Sequence, residues 1–298
     1  MKFPSAAALV PPAVLIFLLA AAEQVRQAVF YIPNWTRLEK TFLMASGLPI
    51  YYGKDSGPAL NAMYGPVSAA AYLPAALTSS PEAAVMAASV LAACFFFLPA
   101  FFLLFARDPG KNPYPTLLFA GFGIHALMMY SLKDAAFHAH ADAPALGLSA
   151  VAAAFLYFRK GDDTLSLVLS AMAAVLAVWA KIVALPALVA LPLYVLAAEG
   201  RRSFFRYLFF IAAASACVSL IFFAVFGFEN LRFNLIEIPG RHPLKDGGYV
   251  PALAGFLNKL GREYLVLLPA AAGAVWGEFY NGEKMPLRAR LASRRWTI

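Results

Sequence analysis

The chain has 298 residues, of which 62% are hydrophobic and only 13% are charged, and its mean hydropathy is +0.70. This small number of polar side chains cannot cover the surface of a soluble globule of this length. The composition therefore excludes a soluble protein and indicates an integral membrane protein. A net charge of +8 favours a nucleic-acid partner in a soluble protein, but here the basic residues fall between apolar runs, as topology signals do. We therefore expect contact with membrane lipid and no nucleic-acid partner.

Apolar runs of the length needed to cross the roughly 30 Å hydrocarbon core of a bilayer, or close to it, recur along the whole chain. Eight runs lie at about 6–22, 83–106, 116–132, 143–158, 164–180, 182–198, 207–228 and 264–280. The two runs that meet at Lys181 are short, so one broken element is an alternative there. The sequence predicts an all-α polytopic protein with about eight transmembrane helices, forming a single integral membrane domain over residues 1–298.

The apolar segment 66–77 decides the predicted topology. With 12 residues and two prolines it is too short to span, and we interpret it as a helix that lies in the membrane interface. The short connections and both termini then share one side that is rich in Lys and Arg, which predicts a cytoplasmic location for that side. The long loops 23–82 and 229–263 become extracytoplasmic. We expect a multi-pass protein of the bacterial inner (plasma) membrane.

An ionisable cluster precedes the apolar run 143–158. It consists of His138, His140 and Asp142, and polar residues at the mouth of a membrane helix are costly and usually functional. Asp142 is as well explained as a cap of the following helix, and the two roles are compatible. The predicted topology brings this cluster to the same side as both long loops, so we expect an extracytoplasmic site. The chain contains no GxxxxGK[ST] phosphate loop, and a lipid-carried substrate fits such a site better than a cytosolic nucleotide.

Four motifs together resemble the GT-C superfamily of polyprenyl-phosphate-sugar-dependent glycosyltransferases. In chain order they are Gly47-Leu48-Pro49-Ile50-Tyr51, Tyr64-Gly65-Pro66-Val67, His140-x-Asp142-x-Pro144 and a Lys at an outer helix end, Lys181. The resemblance covers most of residues 1–200. It implies inverting transfer of a hexosyl or pentosyl group from a polyprenyl-phosphate donor, with an acidic residue of the first external loop as the base. The implied transfer reaction requires no cofactor, and the sequence leaves open whether a divalent metal takes part.

The sequence departs from the family pattern at the expected base. The position holds Pro33-Asn34-Trp35, and an amide cannot accept the proton. Candidate catalytic residues are therefore Asp142, Glu39 and Asp55, although Glu39 also fits a solvated charged patch and Asp55 a turn. The departure indicates a divergent or truncated member.

Further residues are predicted to bind substrate. Lys181 lies on the external side, against the positive-inside trend, which favours a phosphate partner. The full set of candidate binding residues is Tyr51, Tyr64, His138, His140, Lys181, Arg241 and His242. His138, His140 and Asp142 are an alternative set of metal ligands, but a fourth donor is missing.

Two other functions stay open at this stage. A transporter or flippase of a lipid-linked or small polar solute would use the external polar residues to bind its solute, but symmetric Gly/Pro-broken helices are not evident. A non-catalytic assembly subunit of the same fold would explain the missing acid in the first loop.

Overall fold

The computed structural model describes residues 6–57, 63–105, 123, 125–159, 162–240, 251, 253–255, 257 and 258. Within these ranges every regular element is a helix, which confirms the predicted all-α class. The main helices are α1 Ala6–Gln27, α2 Ile32–Ala45, α3 Pro66–Ala70, α4 Pro81–Phe105, α5 Tyr130–Phe137, α6 Asp142–Tyr157, α7 Thr164–Ala180, α8 Ala187–Glu199, α9 Arg201–Phe226 and α10 Phe228–Arg232. Short 3₁₀ helices lie at Ala28–Phe30, Leu73–Leu77 and Ile182–Ala184, and a π-helical turn at Phe233–Glu237 follows α10.

Four segments among the described residues are long and apolar enough to cross a bilayer. They are Pro11–Phe30, Pro81–Pro99, Ile182–Glu199 and Arg201–Phe226. Helices α6 and α7 are equally apolar but have only 16 and 17 residues, near the short end for a membrane span. Of the remaining predicted runs, 116–132 is described only at 123 and 125–132, and 264–280 lies wholly outside the described residues. Several helices are thus long and apolar enough to span a bilayer, which is consistent with a membrane protein, and the count of eight spans stays a prediction.

The centre of the molecule is an antiparallel hairpin of α6 and α7. Helix α4 packs against α6 on one side, and α9 packs against α7 on the other. The α6–α7 contact is made by small residues, which allow two helix backbones to approach closely without a large side chain between them. Gly147 continues this pattern towards α4, because a Cβ atom there would lie 2.7 Å from the Phe95 ring. Close packing along the hairpin therefore fixes the residues at each of its ends relative to one another.

The segment 66–77 folds as α3 and the 3₁₀ helix Leu73–Leu77, of five residues each. An α-helix of that length extends only about 7.5 Å, so neither element can cross a bilayer core. Ala69 and Tyr72 are buried, because α3 packs on α2 and α7 while the 3₁₀ helix packs on α2 and α4. The segment thus belongs to the packed polar end of the hairpin.

Candidate functional site

The first residue of α6 and the residue after α7 form an ion pair. Because the two helices are antiparallel, Asp142 and Lys181 lie at the same end of the hairpin, with Lys181 Nζ 2.6 Å from Asp142 Oδ1. Lys181 has extended backbone angles (φ −155°, ψ 134°) that end α7 before the next 3₁₀ helix begins. The chain is thus broken at Lys181, and the break turns its ammonium group towards α6.

The second carboxylate oxygen of Asp142 is held by His140. The ring Nδ1 of His140 lies 2.7 Å from Asp142 Oδ2. The N-cap of α6 is Ala141, and no side chain caps this helix. The interpretation of Asp142 as a helix cap is therefore wrong, because Lys181 and His140 draw its carboxylate away from the free amides of the first turn.

His138 belongs to a separate ion-pair group. Its Nδ1 lies 2.8 Å from Asp134 Oδ1, and the same oxygen accepts a hydrogen bond from Arg37 Nη1 at 3.3 Å. The Tyr31 ring stacks on the imidazole with a centroid distance of 4.0 Å. Burial raises the pKa of the Asp134 carboxyl, but His138 and Arg37 outweigh this and hold its pKa well below the ordinary value.

The two histidines thus have different carboxylate partners and do not converge on one point. In the part of the chain that the structure describes, no group of three or more His, Cys, Asp or Glu side chains is arranged to hold a metal ion. The alternative of a His138–His140–Asp142 metal site therefore finds no donor set there.

Tyr64 lies between two lysines. Its ring centroid is 5.1 Å from Lys181 Nζ and 5.5 Å from Lys40 Nζ, which are cation–π distances. Gly65 allows this position, because a Cβ atom there would come within 1.7 Å of the carbonyl oxygen of Trp179 at the end of α7. The Tyr64-Gly65-Pro66 motif therefore needs its glycine for a close contact between backbones beside Lys181.

Tyr51 and Tyr72 orient the loops around the site. The buried Tyr51 hydroxyl donates to the carbonyl oxygen of Tyr64 at 2.6 Å, and the Tyr72 hydroxyl donates to the carbonyl oxygen of His140 at 2.7 Å. Tyr51, which the sequence suggested as a substrate contact, thus supports Tyr64 in this structure.

Asn34 replaces the expected acid and has a structural role. Its side chain is fully buried, donates to the carbonyl oxygen of Ala28 at 2.8 Å and accepts from the amide of Ala139 at 2.9 Å. Both ends of an amide are needed for these two bonds, and a carboxylate supplies only an acceptor. Asn34 therefore ties the first loop to the His138–His140 segment.

Lys40 is the functional candidate that sequence reasoning missed. Only 6% of its surface is exposed, and burial lowers its pKa to about 8, against a smaller opposing effect of Glu39. No carboxylate of a described residue lies within ion-pair distance of its ammonium group. A signal was present in the sequence: Asn34, Leu38 and Thr41 recur at helical spacing on the buried face of α2, and Lys40 borders that face.

Two cavities meet at Tyr64. One is a polar cavity of about 360 Å³ lined by residues that include Arg37, Lys40, Tyr64 and Tyr72. The other is an apolar groove of about 460 Å³ lined mainly by residues of α7, α9, α10 and the π-helical turn, with Lys181 and Arg232 as its cations. The polar cavity and the apolar groove therefore share the Tyr64 side chain as a wall, which we call their junction. Lys181, the partner of Asp142, lines the groove and lies over the Tyr64 ring.

Two of the remaining predicted site residues line neither cavity, and two lie outside the described residues. Glu39 and Asp55 are both exposed. Arg241 and His242 lie outside the described residues. The structure thus brings together Asp142, His140, Lys181 and Tyr64.

No protein-family model, curated protein or solved structure matches the chain. The resemblance carried by the four motifs therefore stays a hypothesis.

Proposed function

We propose that the protein is a membrane glycosyltransferase that moves a sugar from a polyprenyl-phosphate donor to an acceptor on the extracytoplasmic face. The observation that supports this most is the junction of the apolar groove and the polar cavity beside Asp142 and Lys181. A substrate with a hydrocarbon chain, a phosphate and a sugar needs apolar and cationic surfaces next to each other.

The apolar groove suits the donor lipid. Side chains such as Trp179, Phe223 and Leu235 offer apolar area to a prenyl chain, and burial of that area supplies binding free energy. Lys181 lines the same groove, and a lysine ammonium binds phosphate as a point charge without strict geometry. The donor phosphate would therefore lie at Lys181.

Asp142 is the proposed general base. The acceptor hydroxyl oxygen attacks the anomeric carbon from the face opposite the phosphate, Asp142 takes the hydroxyl proton, and the bond between that carbon and the phosphate oxygen breaks to release polyprenyl phosphate. In the resting pair Lys181 occupies Oδ1 of Asp142. Donor phosphate that attracts Lys181 frees this oxygen for the proton, so donor binding and activation of the base are coupled.

The sidedness of the site is part of the proposal. We infer that both termini and the Arg159–Asp163 connection are cytoplasmic. In support, Arg159, Glu199 and Arg206 lie together at the far end of the α6–α7 hairpin from Asp142. The bacterial inner membrane is the location that fits a polyprenyl-phosphate donor.

A second function has a specific observation in its favour. Asn34 has a structural role where the family resemblance implies the base, and both oxygens of Asp142 are already paired. A non-catalytic subunit that binds a polyprenyl phosphate and assembles with an enzyme would show these same features.

The test is transfer from radiolabelled polyprenyl-phosphate sugars by the purified protein in liposomes with membrane acceptors. We expect the wild type to transfer the label and Asp142→Asn to be slower by a factor on the order of 10² or more, because the amide cannot accept the proton. Thermal unfolding of both proteins in detergent checks that the variant is folded. Polyprenyl-phosphate binding without any transfer by the wild type would support the non-catalytic subunit instead.

A further inference from the structure

The polar cavity holds a positive charge that has no close counter-ion. Arg37 is paired with Asp134 and Lys181 with Asp142, but the ammonium group of Lys40 is within ion-pair distance of no described carboxylate. Within the described residues its ammonium group lies over the Tyr64 ring, 5.5 Å from the ring centroid. Glu39, the next residue in the chain, is exposed and acts on Lys40 through its field alone.

Burial of an unpaired cation costs desolvation free energy, which destabilises the fold unless another interaction offsets it. Ser68 and Tyr72 line the same cavity and donate to the carbonyl oxygens of Gly65 and His140, but no hydroxyl or carbonyl oxygen of a described residue accepts a hydrogen bond from Lys40 Nζ. The three hydrogens of the Lys40 ammonium group are therefore available to a molecule that enters the cavity. An anion is the ligand that would replace the water that Lys40 lost on burial.

We propose that the polar cavity binds an anionic group, a phosphate or a carboxylate, carried by the sugar acceptor. The assignment of this anion to the acceptor depends on the proposed function. The donor phosphate is assigned to Lys181, which lines the apolar groove, whereas Lys40 lines the polar cavity. The cavity volume of about 360 Å³ accommodates a charged group and part of the molecule that bears it.

The direct test is calorimetric titration of the purified full-length protein in detergent with inorganic phosphate. We expect the wild type to bind phosphate and Lys40→Met to bind it at least about tenfold more weakly, since a charge-assisted hydrogen bond is lost. Lys54→Met is the matched control, because Lys54 belongs to the same long loop but is exposed. Equal binding by the wild type and Lys40→Met, or an equal loss in Lys54→Met, would overturn the proposal.

Thermal unfolding separates a ligand site from a structural lysine. Methionine keeps the length of the lysine stem and removes its buried charge, so we expect Lys40→Met to unfold at the same temperature as the wild type or higher. A lower unfolding temperature together with lost binding would show that Lys40 supports the fold, and the proposal would fall.

A competition experiment decides which substrate brings the anion. Decaprenyl phosphate at saturating concentration should leave the affinity for inorganic phosphate unchanged if the cavity receives the acceptor. Displacement of phosphate by decaprenyl phosphate would assign the cavity to the donor and overturn the proposal. If the wild type transfers no sugar but Lys40-dependent phosphate binding persists beside decaprenyl phosphate, the glycosyltransferase proposal fails while the anion site stands.

Discussion

The two ends of the α6–α7 hairpin both carry buried charge, but they use it differently. At the connecting end, Arg159 has only 1% of its side chain exposed, forms an ion pair with Glu199 and donates to the carbonyl oxygen of Asp163 at 2.7 Å. Asp162 of the same connection pairs with Arg206 of α9. The positive and negative partners are thus matched, and together they tie α6, α7, α8 and α9.

At the open end the pairing is incomplete. Asp142 and Lys181 satisfy each other, but Lys40, which lies over the same Tyr64 ring as Lys181, is buried without a carboxylate partner in the described part of the chain. This end also borders the polar cavity and the apolar groove. Buried charge alone therefore does not identify a functional site. The saturated ion-pair network at the connecting end stabilises the fold, whereas the unmatched charge of Lys40 at a cavity indicates a ligand site.

The largest effect is expected from a variant that breaks the ion-pair network at the connecting end of the hairpin. Arg159→Met removes the guanidinium that pairs with the buried Glu199 carboxylate, and loss of one partner of a buried pair costs roughly 3–5 kcal/mol of stability. The double variant Arg159→Met/Glu199→Met should recover much of that loss, because both charges of the pair are then removed together. Thermal unfolding in detergent measures both. Little change in the single variant would show that this network contributes nothing to the fold.

A smaller effect is expected from a change that perturbs the geometry of the open end. In Gly65→Ala the new methyl group meets the carbonyl oxygen of Trp179, so the Tyr64 loop must move away from Lys181 at a cost of roughly 1–3 kcal/mol. We expect a lower unfolding temperature and slower sugar transfer. Gly240→Ala is the control, because no atom of the described residues lies within 4 Å of a Cβ atom at that position. Equal behaviour of the two variants would contradict the close contact.

The hairpin and its paired ends could be predicted from sequence only in part. Apolar runs and short basic connections indicate α6 and α7, and the cost of ionisable groups at a helix mouth singles out Asp142 and Lys181. Both residues lie in the site, in direct contact. The helices and the charged residues at their ends could be predicted because a membrane span is recognisable from one continuous stretch of chain.

The partners of these residues depend on contacts between distant segments, which no local pattern contains. The sequence shows that Asn34 stands where the family resemblance implies a base. It does not show that the Asn34 side chain accepts a hydrogen bond from the amide of Ala139, 105 residues further along the chain. Lys40 was hidden for the same reason: whether a lysine near the buried face of a helix finds a carboxylate depends on the tertiary fold. The capping role of Asp142 was a reasonable local alternative but is wrong, because its carboxylate pairs with Lys181 of a distant segment instead of capping the helix.

The smallest expected effect concerns the two other acids of the first loop. Glu39 and Asp55 are exposed, so Glu39→Gln and Asp55→Asn should each change the free energy of unfolding by no more than about 0.5 kcal/mol. Neither residue belongs to the group formed by Asp142, His140, Lys181 and Tyr64, so both variants should transfer sugar at wild-type rates while Asp142→Asn is slowed. Parallel transfer and unfolding measurements on the three variants decide the point. If Glu39→Gln or Asp55→Asn loses transfer with its stability intact and Asp142→Asn keeps full activity, the base belongs to the first loop, and the Asp142–Lys181 pair joins the Arg159 network as a structural element.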